Sequence, residues 1–468
     1  MAGPVLKFGT SGWRAVIADE FTFGNARRAV AAIADVLEGD HSGGLLLVGY
    51  DTRFLADRFA HEAALLLRLR GYEVAVSGGP IPTPVLSFET IRRKAAGALN
   101  FTASHNPPKY LGLKFSSADG APALPEVTEK IEKRIAALGD VDRPPEADVE
   151  SFDAVPEYLA AIARFVEGSE LAGFPVALDF RFGTSAGYLD AFFEKAGAKV
   201  EKIHAHPDPL FGGQSPQCSE KELVELAEVV RKHRSSLGLA TDGDADRFGI
   251  LDEKGKYWPA NAILPLVAWD LYRAKRSGKG GEKPRGIARS VATTHALDAV
   301  AKKFGVELHE TPVGFKYIGE LLLEGKIAIG GEESAGLTVE GHVPDKDGIL
   351  ADILVARAVR SSGKTLGELH GELTNEIGPF FSDRLDLPIS DEEKKLLAEK
   401  RKNPPAKFGS RKVESVNRLD GLKLLLEGGA WVLLRESGTE PIARFYAEAR
   451  SRKDVDELLR DGKAFLRE

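Results

Sequence analysis

Hydrophobic positions along this chain follow two periods. Short apolar runs read as buried strands, and stretches with three-to-four spacing read as amphipathic helices. The first part carries strands over Leu45–Gly49, Tyr72–Val76 and Gly97–Phe101, with helices over Phe59–Arg70 and Pro125–Leu138. A second block begins near Val155 with a strand at Val176–Phe180 and a helix at Gly187–Ala196. Ser219 and Glu222 form a capping-box pattern that opens a helix to Lys232. The strand Leu237–Thr241 then precedes a hairpin of Phe248–Leu251 and Tyr257–Trp258. A third block follows, broken by the basic, glycine-rich tract Arg273–Pro284, which reads as a surface loop. It alternates strand Gly286–Val291, helix His295–Phe304, strand Glu307–Glu310, helix Gly314–Glu324 and strand Ile327–Gly330. From about Gly378 the pattern becomes α+β, with strands at Leu422–Leu426, Ala430–Leu434 and Phe445–Ala449 and a last helix over Asp454–Leu466.

A weak repeat links the first three blocks. Val48-Gly49-Tyr50-Asp51-Thr52-Arg53, Leu178-Asp179-Phe180-Arg181-Phe182-Gly183-Thr184 and Ser290-Val291-Ala292-Thr293-Thr294 each end a strand on polar residues ahead of a helix. Three related α/β layers followed by a different fourth unit is the expected architecture. The proline-rich stretch Arg143–Asp148 reads as the linker after the first layer.

Composition narrows the function classes. The 468 residues leave room for about three or four domains. Hydrophobic content of 43% and charged content of 28% fit an ordinary globular protein. A net charge of −7, from 63 basic and 70 acidic residues, argues against a general nucleic-acid binder but permits a local basic pocket. Cys218 is the one cysteine, which rules out an intrachain disulfide and a cysteine metal cluster. No apolar run is long enough to cross a membrane and Met1–Pro4 does not begin a signal peptide, so a cytoplasmic protein is expected. Monomer and homodimer both stay open.

Four loops carry candidate chemistry. Asn100-Phe101-Thr102-Ala103-Ser104-His105-Asn106-Pro107-Pro108 follows a strand and is stopped by two prolines, presenting the Ser104 hydroxyl beside His105 and Asn106. A serine there suits a nucleophile or phosphoryl carrier, although serine and asparagine are also ordinary turn residues. Asp242, Asp244 and Asp246 alternate, so an extended backbone would present all three carboxylates on one side. Carboxylates so grouped call for a cation, for which hard oxygen donors suit Mg²⁺, with a solvated acidic turn as the alternative. The spacing also matches half of a calcium EF-hand loop, but Arg247 stands where that loop requires glycine and strands flank it.

Arg435, Ser437 and Thr439, with Gly438 between them, could converge on a phosphate or form a plain polar hairpin. Glu332, Glu333 and Ser334 offer acceptors for sugar hydroxyls or a charged surface loop. Lys114 lies ten residues after Ser104 and could return beside it or be an ordinary surface charge. Phe8–Arg14 is glycine-rich and could close over an anion or form an N-terminal strand and turn. Ser362-Gly363-Lys364-Thr365 imitates the tail of a nucleotide-binding P-loop but lacks the earlier glycine and the preceding strand.

Taken together, Thr102-Ala103-Ser104-His105-Asn106-Pro107, Asp242-Gly243-Asp244-Ala245-Asp246-Arg247, Gly331-Glu332-Glu333-Ser334 and Arg435-Glu436-Ser437-Gly438-Thr439-Glu440-Pro441 occur once each in that order. The whole chain thereby resembles the α-D-phosphohexomutase family, whose members include phosphoglucomutases and phosphomannomutases. The resemblance implies three similar α/β domains and a smaller C-terminal α+β domain around a central cleft, over residues 1–150, 151–256, 257–376 and 377–468. It implies that Ser104 is the phosphoserine and that Asp242, Asp244 and Asp246, with Ser104, hold Mg²⁺. It further implies that Glu332, Glu333 and Ser334 meet sugar hydroxyls, with Lys316 a further substrate contact. Arg435, Ser437, Gly438 and Thr439 would hold the non-reacting phosphate. Arg14, His105, Lys114 and Arg247 would surround the transferred group, with Lys114 or His105 moving the hydroxyl proton.

The implied partners are hexose phosphates, with a hexose 1,6-bisphosphate as intermediate and activator. Glu333 and Ala335 are worded as in glucose-preferring members, so glucose 1-phosphate is the expected substrate, ahead of mannose 1-phosphate, dual specificity and glucosamine 1-phosphate. A metal-dependent phosphatase would need no second phosphate cradle, and a non-catalytic sugar-phosphate sensor would not need the serine and all three aspartates.

Overall fold

In the computed structural model, which describes residues 6–9, 12–41, 43–166, 171–277, 284–436 and 442–465, the apolar runs become the centres of four sheets. The first contains β1 (Trp13–Val16), β2 (Leu45–Tyr50), β3 (Glu73–Ser77), β4 (Gly97–Phe101), β5 (Tyr110–Ser117) and β6 (Glu150–Phe152), in the order β1-β5-β4-β2-β3-β6. Its helices are α1 (Phe23–His41), α2 (Ala56–Leu69), α3 (Thr83–Arg92) and α4 (Pro125–Ala137). After α5 (Val155–Ala163), the second sheet is built from β7 (Pro175–Asp179), β8 (Lys199–Ile203), β9 (Leu237–Thr241), β10 (Phe248–Leu251) and β11 (Tyr257–Trp258), ordered β11-β10-β9-β7-β8 with α6 (Leu189–Lys195) and α7 (Val224–His233).

The third unit opens with α8 (Ala260–Ser277). Its sheet holds β12 (Gly286–Ser290), β13 (Leu308–Thr311), β14 (Ile327–Glu332) and β15 (Gly336–Val339), ordered β13-β12-β14-β15. The helices α9 (Ala296–Phe304), α10 (Phe315–Leu323), α11 (Gly348–Ser362) and α12 (Leu366–Ile377) complete it.

One frame recurs in all three units. Strands β4-β2-β3, β9-β7-β8 and β14-β12-β13 are each a parallel triplet, and each is extended on one side by an antiparallel partner, β5, β10 or β15. The repeat in the sequence falls at the ends of β2, β7 and β12, the middle strand of each triplet. It even repeats a contact. Asp51 Oδ1 accepts from Arg53 N at 2.9 Å, and Asp179 Oδ1 from Arg181 N at 2.8 Å. Both faces of these strands are covered, so β4, β9, β12 and β14 are buried throughout, as parallel strands under helices must be.

The second and third units share one core, in which Leu178, Leu239, Trp269, Ile329 and Leu350 pack together, with Leu47 and Leu86 of the first unit joining it. The fourth unit is an antiparallel sheet of β16 (Phe381–Pro388), β17 (Lys407–Phe408), β18 (Arg411–Asn417), β19 (Leu422–Leu426), β20 (Ala430–Glu436) and β21 (Ile442–Ala449), with α13 (Asp391–Lys402) and α14 (Arg452–Phe465). It has its own core around Leu424, Val432 and Phe445, and meets the third unit where Trp431, Leu433 and Tyr446 pack on Val291 and Ala292.

Three readings of the pattern are corrected. Ser219 and Glu222 do join by their side chains, but in a turn ahead of α7, whose first residue is Val224. Arg273–Ser277 continue α8 rather than opening a loop. The pattern assigned nothing to Phe23–His41, because the buried run Ala29–Ala34 has little contrast between faces. The imitation P-loop is a helix junction, with Gly363 ending α11 and Thr365 capping α12.

Candidate active site

The turns β4–β5, β9–β10 and β14–β15 hold the same place in the three frames, at the carboxyl end of a parallel strand, where α/β sheets present ligands. Each contains a non-glycine residue with positive φ: Ser104 at 49°, Ala245 at 58° and Ala335 at 68°. Such conformations cost on the order of 1–3 kcal/mol each and persist where surrounding contacts enforce them. The turns also touch. Phe248 N donates to Ala335 O at 3.2 Å, and a Cβ on Gly243 would lie 2.9 Å from Ser104 O.

Ser104 is fixed from behind by a buried clamp. The Arg53 guanidinium donates to the carbonyls of Ser104 (2.6 Å), Asn106 (2.7 Å), Pro107 (2.9 Å) and Tyr110 (2.9 Å), and Asp51 holds it at 3.0 Å. Thr102 Oγ1 accepts from Ser104 N at 2.9 Å and donates to Asp51 at 2.6 Å. The loop is therefore shaped by one arginine as well as by its prolines, and Ala103 packs inward, fully buried. The Ser104 hydroxyl donates to Asp242 Oδ2 at 2.9 Å and stands 3.3 Å from His105 Nδ1. Burial, with Arg247 and Arg14 nearby, pushes the His105 imidazole well below its ordinary pKa, so the ring is neutral at neutral pH.

The aspartates are gathered by a turn, not by alternation along an extended strand. Ala245 N donates to Asp242 O at 3.0 Å, and the left-handed Ala245 swings the three side chains inward. All three are buried, with carboxylate oxygens within 4.8 Å of one another. Burial and the charges of Asp246 and Asp244 push Asp242 up to about 8. Burial works the same way on Asp246, but Lys114, Lys346 and Arg247 outweigh it and hold that carboxyl well below the usual range. Lys114 Nζ donates to Asp244 Oδ2 at 2.6 Å and Asp246 Oδ2 at 2.8 Å; Lys346 Nζ reaches Asp246 Oδ2 at 2.8 Å. Thr83 Oγ1 donates to Asp244 at 2.5 Å, and Arg247 N to Asp242 Oδ1 at 3.1 Å. Arg14 donates to Asn106 Oδ1 at 2.8 Å. Asp244 Oδ1 and Asp246 Oδ1 are buried with no hydrogen-bond partner among the described residues. Hard oxygens so placed could hold a small divalent cation such as Mg²⁺.

Across from these, Glu332 Oε1 accepts from Gly314 N at 2.7 Å, and burial with the neighbouring Glu333 pushes its pKa up to about 7. Lys346 and Arg247 lower it in turn, which puts this carboxyl in the field of the same cations as Asp246. Glu333 Oε2 accepts from Ser290 Oγ at 3.2 Å and Thr293 Oγ1 at 3.1 Å. Ser334 is half-buried in the same turn. Lys316 lies in the first turn of α10, half-buried, its Nζ 5.3 Å from the Tyr317 ring. Arg435 is the next-to-last residue of β20, with Nε bonded to Asp420 at 2.7 Å. Ser437, Gly438 and Thr439 lie outside the described residues.

Arg53, Thr83 and Lys346 were not singled out as site residues from the sequence. Arg53 stood in the repeat, so its signal was present. Lys346 precedes Asp347, which caps α11 by accepting from Leu350 N, and an aspartate before a helix is visible in sequence. Thr83, at the start of α3, carried no signal.

The chain matches four families described as phosphoglucomutase/phosphomannomutase domains: alpha/beta/alpha domain I over residues 5–141, domain II over 156–255, domain III over 259–377 and the C-terminal domain over 392–461. A phosphoglucosamine mutase of Clostridium botulinum is 31% identical over 469 residues, covering 96% of each chain. A phosphoglucomutase/phosphomannomutase of Thermococcus kodakarensis is 29% identical over 467 residues, covering 98% of each. A crystal structure from Thermus thermophilus, provisionally assigned as a phosphomannomutase, is 35% identical and superposes over 100% of both chains with a TM-score of 0.86.

Proposed function

The chain belongs to the phosphoglucomutase/phosphomannomutase family of α-D-phosphohexomutases, and from that premise we propose that it interconverts glucose 1-phosphate and glucose 6-phosphate through a phosphoserine and a hexose 1,6-bisphosphate. The observation that carries this reading is the buried Ser104 hydroxyl, 2.9 Å from Asp242 in a cluster where Lys114 and Lys346 bind the neighbouring aspartates.

In the first transfer the Oγ–P bond of phosphorylated Ser104 breaks as a bond forms from phosphorus to the free sugar hydroxyl. The hydroxyl proton passes to His105 Nδ1 and on to the departing Oγ, which leaves as a neutral hydroxyl. A neutral imidazole 3.3 Å from Oγ suits that task, whereas Lys114 already donates to two carboxylates. Arg14 and Arg247 offset charge on the moving group, since phosphoryl transfer rests mostly on positioning and electrostatics. The bisphosphate then turns end for end and Ser104 takes back the other phosphoryl group. Asp242, Asp244 and Asp246, with phosphorylated Ser104, would hold Mg²⁺, which supplies positive charge beside the reacting oxygens when bound. Arg435 would grip the phosphate that is not reacting, and Glu332 and Ser334 the sugar hydroxyls, with Lys316 beside them.

Glucose is favoured by Glu333. Among the described residues its two side-chain bonds fall on Oε2, and Oε1 would accept from an equatorial 2-hydroxyl. Losing a hydrogen bond to a charged group costs about 1.5–3 kcal/mol. The names of the relatives support a second reading, mannose or glucosamine phosphates as substrates. One preparation decides: kcat/KM for glucose, mannose and glucosamine 1-phosphates, with released phosphate measured alongside. Isomerisation with glucose ahead is expected. Preference for another hexose would overturn the substrate, and phosphate release without isomerisation would overturn the mutase reading.

A further inference from the structure

Arg435 is held by a carboxylate that also holds the third unit. Asp420 Oδ2 accepts from Arg435 Nε at 2.7 Å and from the backbone N–H of Val313 at 3.0 Å. Val313 is followed by Gly314, whose N–H donates to Glu332 Oε1 at 2.7 Å, and Lys316 lies in the first turn of the helix just beyond. A short covalent and hydrogen-bonded path thus runs from the Glu332 carboxyl to the Arg435 guanidinium. Among the described residues the hydrogen bonds of this path cross between the units at Asp420 Oδ2, beside the packing of Val313 on the cluster of Trp431, Leu433 and Tyr446.

The local backbone sets Asp420 in this place. Leu422 pairs with Leu434, so the residues just before β19 lie beside the end of β20. Gly421, at φ 98°, approaches the Leu434 carbonyl so closely that a Cβ could not fit, and this tight turn brings Asp420 onto Arg435. Both side chains are largely shielded, at 24% and 15% exposure. The bond uses one of the five guanidinium N–H donors and so fixes the plane of the group while sparing the others.

We infer that Asp420 is a positioning residue for the proposed reaction: it orients Arg435 for the distal phosphate and ties that orientation to the seating of the sugar-binding loop. This rests on the mutase reading above. Because both bonds end on Oδ2, withdrawal of the Val313 loop removes one of the two donors that fix the carboxylate, and Arg435 loses its reference. The sugar grip and the phosphate grip are then set together.

The test is a double-mutant cycle on the full chain, using whichever hexose 1-phosphate the wild type isomerises fastest. Asp420→Ala is expected to raise KM by about 10-fold or more, with kcat changed by less than about 3-fold. In an Arg435→Gln background the same substitution is expected to change KM by less than about 2-fold, because its effect passes through the arginine. Asp420→Asn, which keeps an acceptor oxygen without the charge, should fall between wild type and Asp420→Ala, and it carries the test alone if Asp420→Ala does not fold. Additive KM effects, or an unchanged KM in the foldable Asp420 variant, would overturn the positioning role while wild-type isomerisation stands. Absence of isomerisation in the wild type would instead remove the mutase reading and this inference with it.

Discussion

Lys346 Nζ donates to Asp246 Oδ2 at 2.8 Å, so an ammonium from the third unit neutralises a carboxylate in the turn of the second. Lys114 from the first unit reaches the same oxygen. Three units therefore meet at one atom, and the charges there are matched only when all three are docked.

Removing that ammonium tests its part in the chemistry. Lys346→Met keeps most of the apolar stem and deletes the charge. Turnover should fall on the order of 10²-fold, the usual scale for losing one preorganised charge in a water-excluded site. Magnesium affinity by calorimetry should not weaken, because a cation competing for Asp246 has gone. Near-wild-type turnover would make Lys346 a structural counter-ion only.

The serine has a sharper readout. Ser104→Ala should lower turnover on the order of 10³-fold or more, since among the described residues no other hydroxyl is bonded to Asp242. Incubating wild type with a hexose 1,6-bisphosphate should add one phosphate to the intact mass, and the variant should show none. Full activity in the variant would refute a phosphoserine carrier.

Chelation should abolish activity and Mg²⁺ restore it. Asp244→Asn should bind Mg²⁺ more weakly by calorimetry, because an amide oxygen carries less charge than the carboxylate it replaces. Unchanged metal binding would show that the turn is held by Lys114 and Thr83 for structure alone.

Stability should depend on pH through Asp352, which lies on α11 fully buried with neither carboxylate oxygen hydrogen-bonded among the described residues. Burial, with Asp347 nearby, raises its pKa well above the ordinary value. Between the unfolded pKa of about 3.9 and the raised folded value, the unfolded chain binds fewer protons than the native one. Stability from this group is therefore complete below about pH 4 and is lost as pH rises toward the folded pKa. The melting temperature of Asp352→Asn relative to wild type should increase as pH rises from about 4 toward the folded pKa. A flat difference would mean that the carboxyl is not protonated in the fold.

Much of this molecule was written in local pattern. The strands Gly97–Phe101, Leu237–Thr241 and Leu422–Leu426 fall where their apolar runs lie, because a buried strand needs only a short continuous hydrophobic segment bounded by turn residues. Ser104, the three aspartates and Glu332 were legible for a related reason: Ser104 and the aspartates stand in turns directly after such strands, and Glu332 ends one. The repeat before α2, α6 and α9 forecast the three matching frames. What the tertiary structure alone decided was convergence. The carboxylates meet through the left-handed Ala245 and not through strand alternation, and no spacing rule foretells a positive φ at alanine. Arg53 lies 51 residues from Ser104, and Lys346 lies 100 residues from Asp246. Asp420 meets Val313 at a separation of 107. Charged groups so far apart in the chain have no common period, and only the docking of separately folded sheets sets their distances.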